Sequence, residues 1–310
     1  MAAGTVLLFA GQGAQFVGMG QSLAQQHTAA RAIFAQADDA LEFSLSKLCW
    51  HGPHDQLTRT EFAQPAILTH SMAAWAVAQE RGNFQVYASA GHSLGEWSAL
   101  VAADALAFAD AVRLVHLRGQ LMQAAVAQGQ GAMAAILGLS ADQVVSACSE
   151  AAQGQVVSVA ADNDSAHLVI AGHAQAVHRA SALCLSRGAL RAVALAVSAP
   201  FHCALMQPAA SGLALALENV TLATPRWPVR STIVPNWHGA DVPIRQVLVD
   251  QLTAPVLWRS AIAALATAGA TAALAPGPTA AVPGLVKRTA RGLKVHVLSE
   301  SSDFDALEAL

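Results

Sequence analysis

Gly91-His92-Ser93-Leu94-Gly95 sets a serine between two glycines, directly after the apolar run Val86–Gly91 and at the head of the helical pattern Ser93–Ala103. A GxSxG between a strand and a helix describes a nucleophile elbow, whose glycines permit a sharp, strained turn that lifts the hydroxyl above the sheet edge. The helix that starts there offers N–H groups and a positive dipole end to a developing oxyanion. Five residues with two glycines also arise by chance in a chain this rich in alanine and glycine, so it is the strand–turn–helix setting that favours a nucleophile. A serine alkoxide needs a base. Among twelve histidines, His202 stands apart because it follows Ser198-Ala199-Pro200-Phe201 where a new helix begins. The plain alternative is a hydrogen-bonded core histidine. Serine before histidine is the chain order of hydrolase-like triads. No acid stands out as a third member, and Asp250 and Glu218 are candidates by elimination.

A second loop, Gly11-Gln12-Gly13-Ala14-Gln15, ends the first apolar run, Thr5–Phe9. If the strands point their carboxyl ends at one crevice, this loop faces the elbow. The backbone N–H groups of Gln12 and Leu94 could then serve together as oxyanion donors. No GK[ST] follows, so it is not a phosphate-binding loop; the alternative is an ordinary turn.

The elements that must carry these loops read as α/β. Helical stretches are expected at Ala29–Leu41, Gln64–Arg81 and Phe108 to about Val126. The middle then changes rhythm. A strand at Gly131–Leu137 and a helix at Ala141–Ala152 precede strands at Val156–Ala160 and His167–Ala171, which flank a polar turn Asp162-Asn163-Asp164. A helix at Ala174–Arg187 and a strand at Leu190–Leu195 complete the unit. The order β-α-β-β-α-β is the ferredoxin-like pattern. The expected architecture is therefore a hydrolase-like α/β domain with a parallel sheet (1–127 and 198–310) and an inserted ferredoxin-like subdomain (128–197).

Composition narrows the class. In 310 residues, 54% are apolar and only 12% charged, so a core forms readily and disorder is excluded. A net charge of −3 gives no global attraction to nucleic acid or an anionic membrane. Cys49, Cys148, Cys184 and Cys203 are scattered, without CxxC spacing, which points to free thiols in a reducing compartment and to no zinc site. Ser260–Val286 is uncharged and long enough to span a bilayer, but glycines and prolines interrupt it between Gly269 and Gly284. Met1–Gly4 lack the basic start of a signal peptide. A cytoplasmic protein that does not enter the membrane is expected.

The chain resembles the malonyl-CoA:acyl-carrier-protein transacylases of bacterial fatty-acid synthesis. The matching segments are Gly11–Gln15, Gln64-Pro65-Ala66, Gly91–Glu96, Arg113–Met122, His202–Met206, Gln251–Trp258 and Gly284–Arg288, in the family's order and spacing over nearly the whole chain. The resemblance implies the same hydrolase-like fold with a ferredoxin-like insert. It implies Ser93 as nucleophile, His202 as base, Gln251 as the residue positioning that histidine, and Gln12 and Leu94 as oxyanion hole. It also implies Arg118 as the partner of the malonyl carboxylate, with Gln64 lining the same pocket and Met122, Phe201 and Asn163 among the substrate-binding positions. No bound cofactor or metal is implied; a coenzyme A thioester is the substrate and an acyl carrier protein the acceptor. Arg118 also makes physical sense, because a buried guanidinium gives the carboxylate a bidentate, charge-assisted partner. An arbitrary arginine more often faces water, and Arg113, five residues earlier, is expected to do so. The run Lys287, Arg288, Arg291, Lys294 could dock an acidic carrier or be a solvated face.

Several positions depart from the fatty-acid pattern. Phe201 replaces a common serine and looks more like the malonyl-selective acyltransferases of polyketide assembly. Trp97 replaces a tyrosine, Ala275–Thr279 replaces a glutamate-bearing loop, and Ala161–Asp164 alters an asparagine-containing turn. Fatty-acid synthesis, polyketide synthesis and the transacylase component of malonate decarboxylation stay open as pathways. A serine esterase or thioesterase, and a non-catalytic carrier-binding module, stay open as other classes of function.

Overall fold

Residues 4–82 and 84–309 are described by the computed structural model; Met1–Ala3, on which the signal-peptide expectation partly rests, lie outside them. The segments expected as strands form β1 Thr5–Phe9, β2 Val86–Gly91, β3 Gly131–Leu137, β4 Val157–Asp164, β5 His167–His173 and β6 Arg191–Ala194, and the structure adds β7 Val229–Arg230, β8 Ala272–Pro276 and β9 Lys294–Leu298. They form two sheets. One has the order β7-β2-β1-β8-β9 and is parallel throughout, and the other has the order β4-β5-β3-β6 with antiparallel pairs. Parallel strands need covering on both faces, and Val6, Leu7, Leu8 and Phe9 of β1 are fully buried. In the small sheet the strand order is that of a ferredoxin-like unit. Its helices Ala141–Ala152 and Ala174–Ser186 pack on one face over a separate hydrophobic cluster that includes Ile136, Val144, Ile170 and Val177. The chain is thus α/β with a parallel sheet and a small antiparallel one. We propose 1–127 with 198–310, and 128–197, as its two units, because every member of that second cluster lies between Ala132 and Ala192.

Two elements differ from expectation for identifiable reasons. Asp162-Asn163-Asp164 is not the turn: β4 runs through it, and Ser165-Ala166 turn the chain instead. Turn-forming residues stay extended here because they have partners outside the hairpin. The Asp162 N–H donates to the Val256 carbonyl (2.8 Å), Arg259 forks onto the Asp162 carboxylate, and Arg288 pairs with Asp164. The helix expected from Gln64 starts earlier, at Thr60, and carries Pro65 inside it. Pro65 lacks the N–H that would bond to the Glu61 carbonyl. His116 Nδ1 supplies that donor from the neighbouring helix at 2.7 Å.

The neighbouring helix is Phe108–Ala124, and it approaches Thr60–Arg81 at Gly119, where a Cβ would stand 2.5 Å from the Glu61 Cα. This close approach brings Arg118 and Gln64 together. The uncharged stretch Ser260–Val286 is divided between the helix Trp258–Thr267, β8 and the helix Val282–Thr289. Among the described residues no helix is long and apolar enough to cross a membrane, and no cluster of metal-ligating side chains occurs. All four cysteines are free and buried.

Candidate active site

Phe9 at the end of β1 pairs with Gly91 at the end of β2, so the loops after both strands open at the same edge of the parallel sheet. At the β2 end, Ser93 takes φ 51°, ψ −108° immediately before the helix Leu94–Ala102. The flanking glycines are sterically required. A Cβ on Gly91 would lie 1.9 Å from the Gly95 carbonyl carbon, and one on Gly95 would lie 2.4 Å from the Phe9 oxygen. The hydroxyl is thus held in a strained backbone at a helix N-terminus, where the Leu94 N–H has no intrahelical acceptor. The Gly11–Gly13 segment packs directly on the elbow, since a Gly11 Cβ would touch the His92 oxygen at 2.6 Å. Gln12 and Leu94 both border the cavity above Ser93, and the Gln12 side chain is anchored to Thr60 Oγ1 at 3.1 Å.

His202 is itself in a left-handed conformation, φ 60°. Its Nε2 lies 2.8 Å from Ser93 Oγ, and its Nδ1 lies 2.8 Å from the Gln251 carbonyl and 3.2 Å from the Ala254 carbonyl. Carbonyls only accept, so Nδ1 carries the proton and Nε2 presents its lone pair to the serine. The third member sought by elimination is therefore neither Asp250 nor Glu218. Both are exposed, Asp250 accepts from Gln246 on the surface, and two backbone carbonyls hold the ring instead. Gln251 reaches the histidine through its main chain, while its side chain points to Arg118. Burial, and next the Arg118 charge, push the His202 pKa down to about 3, so the imidazole is a neutral base at every ordinary pH.

Arg118 is 1% exposed. Its Nη2 donates to Ser93 Oγ (3.2 Å) and Gln251 Oε1 (3.0 Å), its Nη1 donates to Gln64 Oε1 (2.6 Å), and its Nε has no partner among the described residues. Burial lowers its pKa to about 10 and the Glu96 charge opposes that shift, so the guanidinium stays charged. Gln64 is fully buried behind Arg118, with Nε2 on Met122 Sδ, and orients the arginine without lining the cavity. Arg113 is exposed and holds Asp110 and the Ala40 carbonyl, as its place on the helix predicts.

A cavity of ≈ 380 Å³ lies between the elbow and the small sheet. Met122, Phe201 and Asn163 border it together with Ser93, Arg118 and His202. Asn163 Oδ1 accepts from His92 Nε2 at 2.8 Å, which ties β4 to the elbow. Lys287, Arg288, Arg291 and Lys294 are exposed, and Arg288 is committed to Asp164.

Sequence reasoning missed Glu96, Thr232 and His238, which form a polar cluster behind the site. Glu96 was visible in Gly91–Glu96 as an acid on an otherwise apolar helix, but its partners are 136 to 155 residues away. Four other histidines bear on stability. Burial lowers the pKa of His70 to about 4 and that of His202 to about 3, and it lowers those of His92 and His167 as well. Below about pH 6.5 the unfolded chain takes up protons that the folded one refuses. Stability therefore rises with pH between about 4 and 6.5 and is lost as pH falls through that window. The unfolding temperature is expected to drop by roughly a few degrees per group on going from pH 7 to 5, as scanning calorimetry would show.

Comparison with known proteins fits this geometry. The acyl transferase domain family matches residues 6–297. The malonyl CoA-acyl carrier protein transacylase of Salmonella typhimurium is 43% identical over 299 residues, covering 96% of this chain and 97% of that protein. Its Bacillus subtilis counterpart is 43% identical over 296 residues, covering 94% and 92%. The crystal structure of an acyl carrier protein S-malonyltransferase from Vibrio cholerae superposes with a TM-score of 0.96 at 41% identity, covering 98% of this chain and 100% of that one. A malonyl-transacylase solved in complex with its type II polyketide acyl carrier protein superposes equally well, at 0.96 and 41% identity over 99% and 100%. The chain belongs to the acyl transferase domain family.

Proposed function

We propose that this chain moves a malonyl group from coenzyme A to the phosphopantetheine thiol of an acyl carrier protein through an ester on Ser93. The observation that carries the reading is the position of Arg118, with a buried guanidinium nitrogen 3.2 Å from the Ser93 hydroxyl. In a malonyl ester the carboxylate carbon is two bonds from the acyl carbon. A cation within hydrogen-bond reach of the ester oxygen can therefore hold that carboxylate while the carbonyl reacts. Its present partners around the site, Gln64, Gln251 and Ser93, are neutral and give way to an anion at small cost.

Ser93 Oγ attacks the thioester carbonyl as its proton passes to His202 Nε2. The Gln12 and Leu94 N–H groups receive the negative oxygen of the tetrahedral intermediate. When it collapses, the carbon–sulfur bond breaks and the thiolate leaves with the proton from His202. The carrier's thiol then enters the same cavity, gives its proton to His202 and attacks the ester, and Ser93 recovers its hydroxyl. Both thiols end the same phosphopantetheine arm, so one cavity serves both half-reactions in a ping-pong cycle. The thioester is already activated and the base is neutral, so the chain's own groups suffice without a bound cofactor or metal. Met122 and Phe201 close the acyl end of the cavity, and Asn163, through His92, keeps β4 against the elbow. The product is the two-carbon donor of fatty-acid and polyketide chain extension, chemistry of the cytoplasm, where we place the protein.

Malonyl-enzyme freed of malonyl-CoA is expected to discharge onto phosphopantetheinylated carrier protein far faster than onto water. Release of free malonate at one rate with and without carrier would instead make the chain an esterase.

A further inference from the structure

Glu96 is a fully buried carboxylate that the acyl-transfer chemistry does not use. Its Oε1 accepts from His238 Nε2 at 2.6 Å, and its Oε2 accepts from Thr232 Oγ1 at 2.7 Å and from Gln251 Nε2 at 2.9 Å. At the other end of the same amide, Gln251 Oε1 accepts from Arg118 Nη2 at 3.0 Å. The amide fits only one way round, because a carboxylate takes a donor and a guanidinium takes an acceptor. We propose that Glu96 is the counterion of Arg118 and, through Gln251, a positioning residue that sets the malonyl preference of the site.

The placement solves a conflict. A buried guanidinium needs a nearby negative charge. A carboxylate bonded directly to Arg118 would occupy the donors meant for the substrate and compete with it as an equal. One amide removed, Glu96 supports the positive charge while every immediate partner of Arg118 stays neutral and displaceable. Thr232 and His238 complete the shell of the carboxylate, so that it is neither unpaired nor free to swing toward the cavity. The inference rests on Arg118 as the carboxylate site.

The test compares wild type, Glu96→Gln, Arg118→Met and the double variant. Rates of Ser93 acylation by malonyl-CoA and by acetyl-CoA are read from intact mass, alongside thermal unfolding. Glu96→Gln is expected to lower malonyl acylation roughly tenfold or more, mainly as a higher KM, and to leave acetyl acylation near wild type. In the Arg118→Met background the same change is expected to alter neither rate by more than about twofold. The double variant should unfold at a higher temperature than Glu96→Gln alone, because removing one member of a buried charged pair costs more than removing both.

If Arg118→Met kept the wild-type preference, the reading of the site itself would fall, and the inference with it. If Arg118→Met lost the preference while Glu96→Gln kept it, only the role of Glu96 would be refuted. Equal losses of malonyl and acetyl acylation in both backgrounds would reduce Glu96 to a structural residue and overturn the proposal. Should Glu96→Gln fail to fold, a folded double variant supports it and an unfolded one overturns it.

Discussion

His202→Ala is expected to slow malonylation of Ser93 by about 10²–10⁴-fold, the range contributed by a positioned general base, with the loss in kcat and little change in KM. The reasoning is local. Nε2 stands 2.8 Å from the serine oxygen and, among the described residues, is the only base in contact with it. The two carbonyls on Nδ1 fix the tautomer that leaves Nε2 unprotonated. The malonyl carboxylate is held elsewhere, by Arg118, so substrate affinity survives. Single-turnover acylation by malonyl-CoA checks this, and a loss confined to KM would remove His202 from the base role. Because burial and the Arg118 charge hold the His202 pKa near 3, wild-type acylation should show no acid limb between about pH 5 and 7.

Arg118→Ala is expected to cut the efficiency of malonyl transfer by roughly 10²–10³-fold, corresponding to about 3–5 kcal/mol for stripping one partner from a buried charge pair. Acetyl transfer should be spared or faster. In wild type an acetyl group leaves the buried guanidinium facing it without an anion, and in the variant no such charge remains to be desolvated. Arg113→Ala, on the exposed side of the same helix, should match wild type. Competition between malonyl-CoA and acetyl-CoA measures the ratio directly, and an unchanged ratio would refute this explanation of selectivity. The variant also loses a positive charge that lowers the His202 pKa, so its acid limb for acetyl transfer should move to higher pH.

What the sequence revealed and what it hid follow from the range of the interactions. The elbow was legible because the two positions with no room for a Cβ, Gly91 against Gly95 and Gly95 against Phe9, stand within five residues of each other, and glycine spacing is visible in one dimension. Strands β1, β2 and β3 were legible because buried parallel or two-faced strands leave compact apolar runs. The roles of Arg118 and Gln251 were not derivable from spacing and came from the family resemblance, whereas that of Gln12 followed from its glycine-flanked loop after β1. The acid partner of His202 could not be found because none occurs among the described residues; the ring is oriented by main-chain carbonyls, which carry no residue identity. The extent of β4 was misread because Asp162 and Asp164 favour turns alone but are drawn straight by Arg259 and Arg288, 97 and 124 residues away. Pro65 hid the first turn of its helix because the compensating donor, His116, lies on another helix.

The measurement that bears most directly on the serine ester is intact-protein mass after brief mixing with malonyl-CoA, for wild type and for Ser93→Ala. The expected result is a single malonyl adduct on wild type and none on Ser93→Ala, with the adduct vanishing on addition of phosphopantetheinylated carrier protein. An adduct of equal yield on Ser93→Ala, or a wild type that loads the carrier without ever gaining mass, would contradict acyl transfer through Ser93.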